Sequence, residues 1–142
     1  MSFTATARAI SGTLRQEVVI GGEHRLCTDQ PAALGGEGRG PSPHELLPAA
    51  LAACITVTLV QYARTKGWEL GDVQVTVDYD KQSTPRRVET AIRLGGELTG
   101  EQLERLAKVA RACPLRRSLE AGFEFVERFE TSYPPRLAEL RC

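Results

Sequence analysis

The sequence predicts an α+β fold built on antiparallel sheet, and three features carry that prediction. Segments of alternating polarity come in adjacent pairs joined by tight turns, one helix-length stretch is apolar on every side, and a second helical stretch is amphipathic. Strands that follow one another directly, instead of alternating with helices, argue for antiparallel pairing over βαβ units.

Taken in order, residues 3–10 and 14–20 alternate with a period near two and are joined by Ser11-Gly12, the pattern of a hairpin. Gly21-Gly22 turns the chain into a third short strand near 23–28, and Pro31 to Pro41 reads as an exposed loop. A helix starts at Ser42-Pro43-His44-Glu45. There Ser42 can cap, Pro43 suits the first helical position and Glu45 can complete a capping box. It runs to about Lys66, where Gly67 supplies the stop. Apolar residues surround it from Leu46 to Val60, so it requires cover from several directions, and Pro48 predicts a bend near its first turns. One small sheet cannot supply that cover, which makes dimerisation around this helix the expected solution.

Val73 to Tyr79 alternates strictly, Gln82 to Arg86 turns, and Val88 to Leu94 returns antiparallel. Thr99-Gly-Glu-Gln102 is a second capping box, opening a helix with Leu103, Leu106, Ala107, Val109, Ala110 and Cys113 on one side. Pro114 interrupts it, a short helical turn follows over 115–120, and Gly122 precedes a last expected strand, Phe123 to Phe129. The segment from Ser132, with Pro134-Pro135, reads as a C-terminal tail on a single domain of residues 1–142.

Eighteen basic residues balance eighteen acidic ones, which argues against a nucleic-acid or acidic-lipid partner. The first ten residues lack the basic and apolar regions of a signal peptide. The uncharged run from Leu46, about 15 residues, is short for a membrane span and contains Pro48. Four cysteines without a secretory signal suggest a reducing compartment, so a cytoplasmic protein is expected.

Chemistry is concentrated in two cysteines. Cys54 lies in the uncharged stretch, and Cys113 closes the amphipathic helix just ahead of Pro114-Leu115-Arg116-Arg117. Two thiols that meet near positive charge are the minimum equipment of thiol redox chemistry. The bland reading is equally definite: Cys54 among Ala, Ile and Val is an inert small hydrophobe, and Cys113 is a helix-end filler. Cys27 reads as strand filler and Cys142 as an exposed terminal thiol. Two histidines, His24 and His44, and no Cys-x-x-Cys argue against a zinc site. Gly35-Gly-Glu-Gly-Arg-Gly40 superficially suggests a phosphate loop, but it lacks the strand-turn-helix grammar and the lysine.

The segment Gly40-Pro-Ser-Pro-His-Glu-Leu-Leu-Pro-Ala-Ala-Leu-Ala-Ala-Cys54, followed after a gap of roughly sixty residues by Ala112-Cys113-Pro114-Leu-Arg-Arg-Ser118, resembles the OsmC/Ohr superfamily of osmotically inducible and organic-hydroperoxide-resistance proteins. The resemblance follows the element order from the first strands to Phe129. It implies an intertwined homodimer whose sheets wrap two central helices, acting as a cysteine-dependent peroxidase on organic hydroperoxides. Cys54 would be peroxidatic and Cys113 resolving. No metal or organic cofactor is implied; an external dithiol reductant would close the cycle.

In the hydroperoxide-resistance branch, a glutamate ten residues before the first cysteine orients a catalytic arginine. Here that position is His44, with Glu45 beside it, and the wording resembles the broader OsmC-like branches. Arg15 and Arg39 are the candidates for the arginine, and Arg116 and Arg117 are further sources of positive charge. Glu45 reads as a cap first: along a straight helix it stands roughly 14 Å from Cys54 on the opposite face. A non-catalytic dimer that binds a small hydrophobic ligand or senses redox state is the competing expectation.

Overall fold

The computed structural model describes residues 1–130 and 142. Its contacts divide into two compact units, Met1–Leu46 together with Glu127–Cys142, and Leu47–Val126. Most of the expected tail from Ser132 lies outside the described residues.

The first unit holds a three-stranded antiparallel sheet in the order β1 (Ala5–Ala9), β2 (Gln16–Ile20), β3 (His24–Thr28). In the three-residue loop 21–23 that joins β2 to β3, Gly21 and Gly22 both take positive φ, 61° and 79°, which glycine adopts without strain. Its buried side chains are polar: Glu17, Thr28 and Asp29. Glu17 is held by Arg25 at 3.0 Å. Asp29, 1 % exposed, accepts hydrogen bonds from the backbone N–H groups of Gln30, Glu37 and Arg39 at 2.8, 3.1 and 3.0 Å. Donation from the Arg39 amide leads the influences that hold its carboxyl below the ordinary carboxylate range against the opposing effect of burial. One carboxylate thus gathers the loop that follows β3.

The long helix, α1 (Pro43–Lys66), continues through Pro48 and stops at Gly67, whose φ is 68°. At its start Glu45 accepts from both the backbone N–H and the hydroxyl of Ser42, at 2.7 and 2.8 Å. The reciprocal half of the expected box is replaced by the Glu45 N–H donating to the Ser42 carbonyl. At 24 residues α1 has the length and apolarity of a membrane span, a signature that a core helix shares.

In the second unit Leu51, Ile55, Leu59 and Ala63, spaced by four residues, form the buried face of α1. Against it pack Leu106 and Ala110 of α2 (Gly100–Arg111), together with Leu70 and Cys113. β4 (Val73–Asp80) and β5 (Arg87–Leu94) form a two-stranded antiparallel sheet whose Val73, Val75, Val77, Ile92 and Leu94 close over this cluster. The Thr99 box is complete, with Gln102 N–H donating to Thr99 Oγ1 and Thr99 N–H to the Gln102 side chain. Across the two helices Arg105 donates to the Tyr62 hydroxyl at 2.8 Å. A short helix, α3 (Pro114–Ala121), follows directly.

Two expectations require correction. The strand expected over Phe123–Phe129 is absent: residues 122–130 form no strand, and Phe125 and Phe129 are 78 % and 96 % exposed. Alternating polarity makes a strand only where a neighbouring strand takes up its backbone groups, and among the described residues none pairs with it. Cys27 and Cys142 are not separate thiols but a disulfide with Cα atoms 5.6 Å apart; spacing alone cannot reveal a pairing across 115 residues.

Leu59 is fully buried, so Leu59→Ala is expected to cost about 3 kcal/mol of unfolding free energy. Loss of the α2 cap in Thr99→Ala is expected to cost about 1 kcal/mol. Urea unfolding checks both, and a smaller effect at Leu59 than at Thr99 contradicts this placement of the core.

Candidate active site

Three elements of the second unit converge on one pair of sulfurs. Cys54 projects from the middle of α1, one residue before the buried Ile55 and three after Leu51, and is half-buried. α2 ends at Arg111, and the chain passes through Ala112 to Cys113, which is the N-cap of α3 and is fully buried. Pro114 is the reason for this abrupt restart. It has no N–H to continue α2, and its fixed φ suits the first position of a new helix. The Cys113 Sγ–H donates to Cys54 Sγ at 3.1 Å. Both cysteines are free thiols, about 1 Å beyond disulfide bonding distance.

The restart sets the local electrostatics as well. The first backbone N–H of α3 is that of Leu115, and it donates toward the Cys54 sulfur. That puts the positive end of a helix on a thiol, which favours the thiolate. The Thr58 hydroxyl, one turn along α1, is the smallest influence in the same direction, because its single proton is shared with the Cys54 carbonyl, to which it donates at 2.7 Å. Burial opposes both and is the largest influence, followed by the bond from Cys113, so the Cys54 thiol sits above its ordinary value. Cys54 therefore holds its proton more tightly than an ordinary thiol.

A cavity of about 660 Å³ opens on the Leu51–Ile55 turn of α1, walled by Val88, Thr90 and Ile92 of β5 and by Ala107, Ala110 and Leu119 of the following helices. Arg86, Arg111 and Arg116 stand among its walls, Arg116 paired with Glu120 at 2.8 Å. Its floor suits an apolar molecule and its arginines a polar or anionic end.

Of the remaining sequence candidates, Arg117 is exposed on α3, while Arg15, Arg39, His44 and Glu45 lie in the first unit. Arg39 pairs with Glu37 at 3.0 Å, and Arg15 lies 3.7 Å from the same carboxylate. Glu45 is occupied with Ser42, whose N–H and hydroxyl hold its carboxyl below the usual range. His44 stands exposed beside it in the first turn of α1. Thr58 and the Leu115 amide were not among the sequence candidates, although the signals existed: a hydroxyl four residues after Cys54, and a proline marking a helix start beside Cys113. Arg86 and Arg111 carried none.

A buried dithiol between a long apolar helix and a Cys-Pro helix start, closed over by antiparallel sheet, defines a thiol-bearing α+β protein. The chain belongs to the OsmC-like protein family, whose model matches residues 36–127. Among solved structures it is similar to a Psychrobacter arcticus protein assigned to the osmotic-stress-induced and detoxification response, at 26 % identity over 82 % of this chain and 87 % of that one, with a TM-score of 0.69. An organic hydroperoxide resistance protein OsmC from Legionella pneumophila is likewise 26 % identical over 82 % and 88 %, with a TM-score of 0.63. An OsmC-like protein from Mycoplasma pneumoniae shares the fold at 16 % identity over 84 % and 88 %, with a TM-score of 0.71. No curated protein sequence gives a significant match.

Because the folded protein raises the Cys54 thiol, its alkylation by iodoacetamide is expected to climb about tenfold per pH unit from neutrality through the ordinary thiol range. Thr58→Val removes a donor to the sulfur and should slow alkylation at pH 7 about two- to threefold. By the same sign, any stabilisation from the neutral thiol is present below the unfolded value, near pH 8.5, and is lost as pH rises through the folded one. Peptide mapping of the Cys54 adduct checks the rates; a flat pH profile contradicts the raised thiol.

Proposed function

We propose that this chain is a cysteine-based hydroperoxide reductase acting on organic hydroperoxides. The observation that carries the reading is the 3.1 Å approach of the two free sulfurs, with the Leu115 amide directed at Cys54. The Cys54 thiolate attacks the outer peroxide oxygen. The O–O bond breaks, the alcohol leaves with a proton, and Cys54 becomes a sulfenic acid. The Cys113 sulfur attacks that of Cys54, expelling hydroxide that leaves as water once protonated, and the disulfide holds the two electrons' worth of oxidation. An external dithiol returns two electrons and two protons by exchange. The second step closes a gap of only about 1 Å, at the junction between α2 and α3.

The apolar cavity beside the Leu51–Ile55 turn supports an organic peroxide over hydrogen peroxide. Arg15, Arg39, His44 and Glu45 enter this proposal only as supporting residues: among the described residues no arginine is among the influences on the Cys54 thiol. The protein is proposed to act as a homodimer, because α1 leaves Val57 48 % exposed on an otherwise apolar helix and Phe123, Phe125 and Val126 stand uncovered. The same cavity supports the second reading, a dimer that only holds a hydrophobic ligand.

One equivalent of cumene hydroperoxide should convert Cys54 and Cys113 to a disulfide, read as a linked peptide by mass spectrometry. Cys54→Ser should reduce peroxide consumption with a dithiol by roughly a hundredfold or more. Cys113→Ser should instead trap a Cys54 sulfenic acid. Unmodified thiols with a copurifying ligand would favour the binding protein. Sedimentation should give twice the 15.5 kDa chain mass, and a monomer at micromolar concentration would count against the dimer.

A further inference from the structure

The described residues contain a second pair of cysteines, and it lies wholly in the first unit. Cys27 is on β3, opposite Glu17 of β2, and is bonded to Cys142. The surroundings give that bond more to do than a surface staple would. Among the described residues every buried apolar side chain belongs to the second unit, while the buried side chains of the first are Glu17, Thr28 and Asp29. A three-stranded sheet with no buried apolar side chain is marginal on its own strand pairing. Covalent closure is the usual remedy for a unit that cannot build a core.

Cys27 also stands at the root of the loop gathered by Asp29. Its carbonyl lies so close to Gly40 that a side chain there would come within 2.4 Å of it. Two residues on, the Asp29 N–H donates to the Pro41 carbonyl at 3.1 Å, and its carboxylate holds the amides of Glu37 and Arg39. Whatever tethers Cys27 therefore tethers the end of β3 and both ends of this loop. The other half of the bond is accessible: Cys142 is exposed and Cys27 only partly so.

We infer that Cys27–Cys142 is a second thiol–disulfide site, chemically separate from the Cys54–Cys113 pair, whose opening by a dithiol loosens β3 and the Asp29 loop. The thiolate of the dithiol attacks the exposed Cys142 sulfur, forming a mixed disulfide and releasing the Cys27 thiolate, which takes up a proton. The second thiol of the reagent then attacks the mixed disulfide, leaving as its own cyclic disulfide and freeing Cys142. Two electrons and two protons pass from reagent to protein. Glutathione disulfide reverses the change, leaving two molecules of glutathione. This inference does not rest on the peroxidase reading, because it concerns a different pair of sulfurs.

The test uses the full chain, equilibrated with glutathione disulfide, freed of the reagent and digested without reduction. A linked Cys27–Cys142 peptide is expected, and dithiothreitol should release it as two peptides. Hydrogen exchange of the intact protein should then quicken at least about tenfold over residues 24–28 and at the Glu37 and Arg39 amides, with the α2 amides unchanged. Cys142→Ser and Cys27→Ser should each show the faster exchange without reductant. No linked peptide after glutathione disulfide overturns the inference, as does exchange over 24–41 that is the same with the bond open and closed.

Discussion

The packing of α1 against α2 is the constraint from which the chemistry follows. Leu59 and Ala63 on one helix and Leu106 and Ala110 on the other share one buried cluster with Cys113, and the break at Pro114 leaves that sulfur beside Cys54. Interiors are close-packed, so a sulfur that is fully buried at such a junction has little freedom to stand elsewhere. The same packing points the start of α3 at Cys54. Hydrophobic burial thus does the positioning, and the few polar groups at the sulfur only adjust its readiness to ionise.

Those adjustments pull against one another in an informative way. Burial, the largest influence, keeps the Cys54 proton in place, while the Leu115 amide and Thr58 hydroxyl favour its loss. A thiol in this balance ionises less readily than a free one, yet lies beside groups that stabilise its anion once formed. The buried partner sulfur stands 3.1 Å from it.

Much of this was legible in the residues, and the parts that were not share a cause. Local signals placed β4 by its alternation, α2 by the Thr99–Gln102 box, and α1 by Pro43 and Gly67, each within a few residues of its observed limits. The meeting of Cys54 and Cys113 was implied by a resemblance in two motifs, because no local pattern reports a contact across 59 residues. The disulfide of Cys27 failed to register for the same reason. The stretch from Phe123 failed for the opposite one: its pattern is strand-like, but a strand is a relation between two segments, and among the described residues none pairs with it. Thr58 and Leu115 escaped because neither hydroxyl nor amide looks reactive until a sulfur is put beside it.

The glycines of Gly35-Gly-Glu-Gly-Arg-Gly40, which mimic a nucleotide-binding motif in sequence, have a plainer purpose in space. A methyl group at Gly36 would fall 1.8 Å from the Gln30 carbonyl oxygen, and one at Gly40 would crowd the Cys27 carbonyl, whereas Gly38 faces open room. Two of these positions are therefore closed to every larger residue by main chain that cannot step aside. The third is reserved only by its left-handed twist, so asparagine is a natural replacement there. Drift in such a stretch would be uneven, rigid at its two pinch points and permissive between them, even though all the letters look alike.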